Sequence, residues 1–212
     1  MAKKKSVRKP RPRRESQAET RGRLLVAAAE TFARYGYEGA SVDRIAAAAG
    51  FSKGAVYANF DSKEGIFLEL LAQHMADKMA ALDGIVQAEL GPDATIASLD
   101  AWLRRMNQDA AWGLLAVVLQ LHARRERGFG EQADRLFEAH RARLATLISR
   151  LFAAAGKKPL GDPLELARGF IALTDGLTIQ SGLAEASDSP AGRLMADWVR
   201  LLIAAAPPVD VR

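Results

Sequence analysis

Ser41-Val42-Asp43-Arg44-Ile45-Ala46-Ala47-Ala48-Ala49-Gly50-Phe51-Ser52-Lys53-Gly54-Ala55-Val56-Tyr57-Ala58-Asn59-Phe60 contains two helix starts and one sharp break. Ser41 and Ser52 suit N-caps, because a side-chain oxygen can accept from the unpaired N–H groups of a first turn. They predict helices over Val42–Ala49 and Lys53–Asn59. Gly50 stands between them and takes a left-handed backbone without a Cβ clash. Val42, Ile45, Ala46 and Ala49 give the first helix an inner face, and its small alanines allow close approach. Val56 and Phe60 are expected to turn inward with Phe32 and Ile45. Two short helices across a tight turn form a helix-turn-helix, whose second helix can lie in a DNA major groove.

The outward residues suit that task. Lys53 can reach a base acceptor or a phosphate, and Gly54 and Ala55 let the backbone come close. Tyr57 carries a hydroxyl on a rigid ring that can donate to phosphate. Lys63 opens the next helix, where unpaired backbone N–H groups also attract phosphate. The alternative for each of these is an ordinary solvated or half-buried side chain. Asp43 would be repelled by phosphate, so it is expected to pair with Arg44 or turn aside.

Upstream, Leu24, Leu25, Ala28, Phe32 and Tyr35 recur at helical spacing and predict a helix over Gln17–Tyr35, ended by Gly36 and Gly39. Downstream, Asp61 and Glu64 have capping-box spacing and start a helix that runs to Leu82. Gly91-Pro92 interrupts. Asp93–Asn107 and Gln108–Arg127 read as two helices or one bent helix, stopped by Gly128 and Gly130. Glu131–Ala155, Leu164–Glu185 and Ala191–Ala205 complete the set, and Pro207-Pro208 ends it. No convincing strand pattern or internal repeat appears. The expected fold is all-α, with an N-terminal three-helix unit and about nine helices in total.

Charge is unevenly spread. Residues 1–60 hold 13 Lys and Arg against 5 Asp and Glu, whereas the other residues hold 17 against 20. The excess begins in a basic arm over residues 1–16, in which Lys3, Lys4, Lys5, Arg8, Lys9, Arg11, Arg13 and Arg14 surround Pro10 and Pro12. With little to bury, the arm is expected to be disordered when free; it is either a solubilising tail or a polyanion contact. The absence of cysteine excludes disulfides and thiolate metal sites. The charged N-terminus does not read as a secretory signal, and Ala110–Leu121 is far short of the ~20 residues of a membrane span. The expectation is a soluble cytoplasmic protein with no membrane partner.

Leu24–Leu71 closely resembles the N-terminal domain of the TetR/AcrR family of bacterial regulators. The matching residues are Ala28-Ala29-Glu30-Thr31-Phe32, Tyr35-Gly36-Tyr37-Glu38-Gly39, Ser41-Val42, Ile45-Ala46, Ala49-Gly50, Ser52-Lys53-Gly54-Ala55-Val56-Tyr57, Phe60 and Ser62-Lys63-Glu64. The resemblance implies a homodimeric, ligand-responsive repressor that binds a double-stranded operator. It assigns Ser52, Lys53, Gly54, Ala55 and Tyr57 to the recognition helix and its cap. Asn59 and Lys63 would contact the DNA backbone, with Ser41 and Val42 near phosphate. Domains would then be 1–16 (arm), 17–63 (helix-turn-helix) and 64–206 (ligand binding and dimerisation), and the DNA-bound protein would sit on the nucleoid. The sign of regulation stays open, since an activator would carry the same signals.

Beyond Leu82 the resemblance fades. Trp102, Met106, Trp112, Leu115, Leu119, His122 and Phe137 mix large apolar bodies with few polar atoms, which suits either an apolar small-molecule pocket or a plain core. By family analogy the last two helices would pair with their copies, through Phe170, Leu173, Thr174, Leu177 and Gln180 and through Leu194, Trp198, Leu201 and Leu202. His74, His122 and His140 fall in no metal motif, and no phosphate loop or nucleophile elbow is present, so neither a cofactor, a metal nor an enzyme is expected. A helical interaction module with a basic arm is the other non-enzymatic class.

Deleting residues 1–14 is expected to flatten the salt dependence of duplex binding, by roughly 0.9 in log–log slope for each phosphate that the arm neutralises. An unchanged slope in a salt titration would place the arm off the DNA.

Overall fold

The computed structural model describes residues 13–105, 110–125, 127–181 and 190–209. Most of the basic arm, Met106, the expected bend near 107–108 and the stretch toward Glu185 lie outside the described residues. Nine helices run in order among those described: α1 (Arg13–Gly39), α2 (Val42–Ala49), α3 (Lys53–Tyr57), α4 (Lys63–Gln87), α5 (Pro92–Arg105), α6 (Ala110–Ala123), α7 (Arg127–Ala154), α8 (Pro163–Ser181) and α9 (Pro190–Ala205). They form two compact units, Met1–Leu70 and Leu71–Arg212, with the division inside α4.

The first unit buries Leu24, Ala28, Phe32, Ile45, Val56, Phe60, Ile66 and Phe67. Tyr35, expected on the inner stripe, is 43% exposed. The reason is Gly36, whose φ of 68° and ψ of 178° interrupt the helical period inside α1. The chain rotates there, and Tyr37 takes the inner place. Its ring packs 6.1 Å from Phe32 and 5.1 Å from Phe67, while Phe32 and Phe67 lie 4.8 Å apart. Such aromatic groups contribute ~0.5–1.5 kcal/mol per pair beyond area burial.

The start of α4 differs from the expected capping box. Ser62, one residue past Asp61, accepts from the Gly65 N–H at 3.1 Å. Because α4 begins at Lys63, Ser62 is its N-cap, and the position three residues on is Gly65 rather than Glu64. Glu64 instead accepts from the Tyr37 hydroxyl at 2.8 Å. Burial raises the Glu64 carboxyl, but hydrogen bonds from its backbone N–H, Tyr37 and Ser62 outweigh this and hold it below the usual carboxylate range.

In the second unit α7 packs along α8, and α5 along α9. The core joins Leu99 and Leu103 of α5, Leu144, Leu147 and Leu151 of α7, and Met195 and Ile203 of α9. On the α5–α9 surface Arg104 donates to Asp100 at 2.7 Å and Arg200 donates to both Asp100 and Asp197. Hydrogen bonding from Arg104 is the largest of the effects that lower the Asp100 carboxyl. After α9 the chain returns to the α7–α8 connection, where Lys158 N–H donates to the Pro207 carbonyl at 2.8 Å and Val209 N–H to Gly156 at 3.0 Å. No helix among the described residues is long and apolar enough to cross a membrane.

Gly128 and Gly130 do not stop a helix as expected; both lie in the first turn of α7. A Cβ on Gly130 would stand 2.6 Å from the Ala123 carbonyl oxygen, so this glycine serves close packing. In an open helix Gly→Ala gains about 1 kcal/mol, whereas overpacking costs about 1–3 kcal/mol. Gly130→Ala is therefore expected to lower the melting temperature in a thermal denaturation scan. A rise would show that the α6–α7 corner relaxes freely.

Candidate nucleic-acid interface and ligand cavity

The α2–α3 pair is built as its serines require. Ser41, in extended conformation, accepts from Arg44 N–H, and Ser52 accepts from Ala55 N–H, both at 3.2 Å. Gly50 caps α2 with φ 72° and ψ 31°. The orphan carbonyls at the end of α2 are met by Gly50 N–H on Ala47 (3.2 Å) and Phe51 N–H on Ala46 (2.9 Å). Arg23 of α1 braces the corner, donating to the Ala49 carbonyl at 3.0 Å and lying over the Phe51 ring.

This frame leaves Ser52, Lys53, Gly54, Tyr57 and Ala58 on the exposed side of α3, with Val56 buried beneath; Ala55 is half-buried. Tyr57 is 51% exposed. Ser41 and Val42 are half-buried at the start of α2. Asp43 does not pair with Arg44. It accepts from the Lys53 ammonium at 2.9 Å, both side chains being open to solvent. Adjacent residues on a helix do not face each other, and Arg44 instead lies 4.6 Å over the Tyr35 ring. The hydrogen bond to Asp43, then its charge, raises the Lys53 pKa.

Two residues assigned to backbone contact have internal partners. α3 ends at Tyr57, two residues earlier than expected, and Asn59 Nδ2 donates to the Ala55 carbonyl at 2.8 Å. The Arg21 guanidinium donates to the Asn59 carbonyl and to Glu69. The Lys63 ammonium donates to the Tyr37 and Ala40 carbonyls at 3.0 and 3.3 Å and sits 4.1 Å over the Tyr37 ring. It thereby ties α4 to the end of α1. Arg44, exposed beside the edge, is a cation that the sequence alone presents only as a partner for Asp43; its place next to Tyr35 follows from the Gly36 kink.

Among the described residues, two cavities of the second unit adjoin Trp102. One, of about 120 Å³, is lined by Trp102, Trp112 and Phe137 among the residues singled out from sequence. The other, about 40 Å³, is wholly apolar and shares Trp102, Leu144 and Phe170 with the first. Leu115 and Leu119 are core residues that line neither, and His122 packs edge-on against Phe129. The larger cavity also gathers Lys78, Gln120, His140 and Asp175, which sequence reasoning does not assign to a pocket, together with His74 and with Phe170 and Thr174, which family analogy puts on the pairing face of α8. His74 stacks on Trp112 with ring centres 5.4 Å apart. Gln120 donates to the Asp175 carboxylate at 3.1 Å. Burial raises the Asp175 pKa, and burial followed by the charges of Lys78, Arg143 and Arg141 lowers that of His140.

Residues 24–70 match the family model described as bacterial regulatory proteins, tetR family. The HTH-type transcriptional activator FasR of Mycolicibacterium smegmatis is 46% identical over 57 residues, 27% of this chain and 26% of that protein. The HTH-type transcriptional repressor AcnR of Corynebacterium glutamicum is 38% identical over 80 residues, 36% of this chain and 42% of that protein. The chain thus matches less than half the length of these two relatives. AcnR of Corynebacterium jeikeium aligns over 169 residues at 27% identity, covering 70% of this chain and 89% of that one. Among solved structures, a TetR-family protein of Mesorhizobium loti superposes with a TM-score of 0.69 at 22% identity, covering 90% of this chain and 98% of that chain. The regulator FadR of Bacillus subtilis, in complex with stearoyl-CoA, gives 0.62 at 19% identity, with 86% and 97% covered. At these identities the structural likeness shows the fold alone.

An exposed ion pair is weakly held, and Asp43 is the acid that faces Lys53. Asp43→Asn is expected to raise affinity for arbitrary duplexes several-fold, and Lys53→Ala to lower it. In fluorescence anisotropy at fixed salt, an unchanged Asp43→Asn affinity would show that Lys53 does not meet DNA.

Proposed function

We propose, for a chain that belongs to the tetR family of bacterial regulatory proteins through residues 24–70, that it acts as a DNA-binding transcriptional repressor released from its operator by a small, largely apolar ligand. The observation that supports this most is the exposed edge from Ser52 to Tyr57, set on a capped short helix across the left-handed Gly50 turn. Lys53 and Tyr57 are its long polar side chains, so sequence readout leans on close backbone approach, thymine-methyl contacts and DNA shape. Ser41, Val42, Arg44 and the N-terminal arm supply backbone contacts in this reading. Asn59 and Lys63 contribute by holding the frame rather than by touching phosphate.

The working form is a homodimer joined through α8 and α9. Leu194 and Leu201 of α9 and Ile179 of α8 are exposed, with Leu201 at 69%. Burying such side chains against a second copy at roughly 25 cal/mol per Å² would favour association, and a lone soluble subunit would leave an apolar face in water. Residues 64–206 then carry ligand binding and dimerisation, with the larger cavity as the ligand site. One structural neighbour holds stearoyl-CoA, which supports an apolar effector class. The relatives include both an activator and repressors, all named as regulators rather than enzymes. The bacterial cytoplasm, at the nucleoid, is the corresponding place of action.

Selection from random duplexes followed by footprinting tests the proposal. The expected result is a protected site with two-fold symmetry, its half-sites about one helical turn or a related spacing apart. Protection of a single asymmetric patch, or no preference over bulk DNA, would remove it. A promoter reporter then fixes the sign, with transcription expected to rise when the gene is deleted.

A further inference from the structure

We infer that Arg34 and Arg44, both drawn to the exposed ring of Tyr35, form a clamp for two neighbouring phosphates of a DNA duplex, beside the stretch met by α3. This deepens the DNA-binding reading and rests on it.

The ring is held where it stands. Tyr35 turns outward because Gly36, with φ 68°, breaks the helical period, and it is 43% exposed. Gly39 packs at its root. A Cβ on Gly39 would lie 3.2 Å from the Tyr35 Cβ, so a larger residue there would push the tyrosine aside. The Arg34 guanidinium, from α1, lies 5.3 Å from the ring centre, and that of Arg44, from α2, lies 4.6 Å from it. A cation is attracted to an aromatic face at such distances. Because both lie within 5.3 Å of one centre, the two guanidiniums are at most about 10 Å apart. One tyrosine thus gathers two positive charges from two helices at the surface.

Charge decides what the pair takes. Among the described residues neither arginine is in an ion pair with a carboxylate. Asp43, next to Arg44 in the chain, is met by the Lys53 ammonium at 2.9 Å. Glu38 stands four residues after Arg34, but the Gly36 kink breaks the period that would set the two on one face. Glu30, four residues before Arg34, lines the groove between α1 and α2. Two like charges held on one ring repel, and a bound anion relieves that repulsion. The guanidinium fork matches the oxygens of a phosphate. Each strand of a duplex presents one phosphate per 3.4 Å of axis, so two guanidiniums at this separation can take two in sequence. Such contacts fix register on the duplex and carry no base information. Asp43 joins the clamp to the reading edge, since it follows Val42 at the start of α2 and holds Lys53 of α3.

The test uses the full-length protein and an arbitrary duplex, with affinity read by fluorescence anisotropy over a range of salt concentrations. The variants are Arg34→Ala, Arg44→Ala, the two combined, and Tyr35→Leu, with circular dichroism confirming the fold of each. Each phosphate neutralised contributes roughly 0.9 to the log–log salt slope. Arg34→Ala and Arg44→Ala are each expected to flatten the slope by roughly 0.9, and the pair by roughly twice that. Tyr35→Leu keeps both charges but removes the ring that gathers them. It is expected to retain the slope and weaken binding about two- to fivefold, the size of one exposed cation–π contact. The clamp is overturned if either arginine variant keeps the wild-type slope, or if Tyr35→Leu binds as tightly as wild type. If wild type itself binds no duplex, the DNA-binding reading falls and the clamp with it. If wild type binds duplex and the arginine variants match it, the clamp alone falls.

Discussion

The left-handed backbone at Gly50 is the constraint on which the DNA-facing site rests. With φ at 72°, it turns the chain within one residue of the end of α2. A side chain there would pay the steric cost that a Cβ incurs in this region. The turn is also held chemically: two backbone N–H groups close the end of α2, and Arg23 reaches from α1 to the Ala49 carbonyl. Only with α2 ending there can Ser52 cap a new helix, and only from that start does Lys53 lie within reach of Asp43. A five-residue helix is too short to be stable by itself. α3 persists because Val56 and Phe60 are buried in the core beneath it.

What could be read from the sequence was local. Ser41, Gly50 and Ser52 act within four residues, and Val42–Ala49 has one period without interruption, so the expected and observed α2 coincide. Tyr35 and Tyr37 were not separable, because two residues on opposite sides of a glycine kink exchange faces when that glycine adopts positive φ. The partner of Asp43 lies ten residues away across the turn, and that of Lys63 is a carbonyl of α1. Neither spacing follows a helical period. Trp102, Trp112 and Phe137 were found in the second unit because large side chains on apolar helices must either fill space or bound it. Lys78 and Asp175 are not legible as cavity residues because α4 and α8 are apolar on more than one side, which leaves hydrophobic periodicity unable to say where a polar residue points.

The two cations expected to meet DNA behave differently in the free protein. Lys63 has two carbonyl acceptors and an aromatic face, all within the first unit, so removing it from them would unpin α1 from α4. Lys53 has one carboxylate in full solvent. In the proposed reading a phosphate or a guanine edge replaces that carboxylate at little cost, and Asp43 then becomes a like-charge neighbour of the DNA. The same pair therefore orients Lys53 before binding and opposes contacts that do not replace the carboxylate well. On that reading poor partners leave Asp43 uncompensated, which would add to sequence preference despite so few long side chains.

Ligand release adds a demand on magnitude. Taking a regulator from almost wholly bound to almost wholly free requires about 5.5 kcal/mol of difference in ligand affinity between the two states, whereas couplings between sites are typically about 1–3 kcal/mol. A small effector with few contacts lies nearer the lower figure. Such a ligand shifts affinity by roughly five- to 150-fold at most on that scale, so it works as a switch only where operator binding is itself near half-saturation. In the proposed reading the exposed edge fits that condition, because Lys53 and Tyr57 are its long polar side chains and Asp43 opposes loose binding.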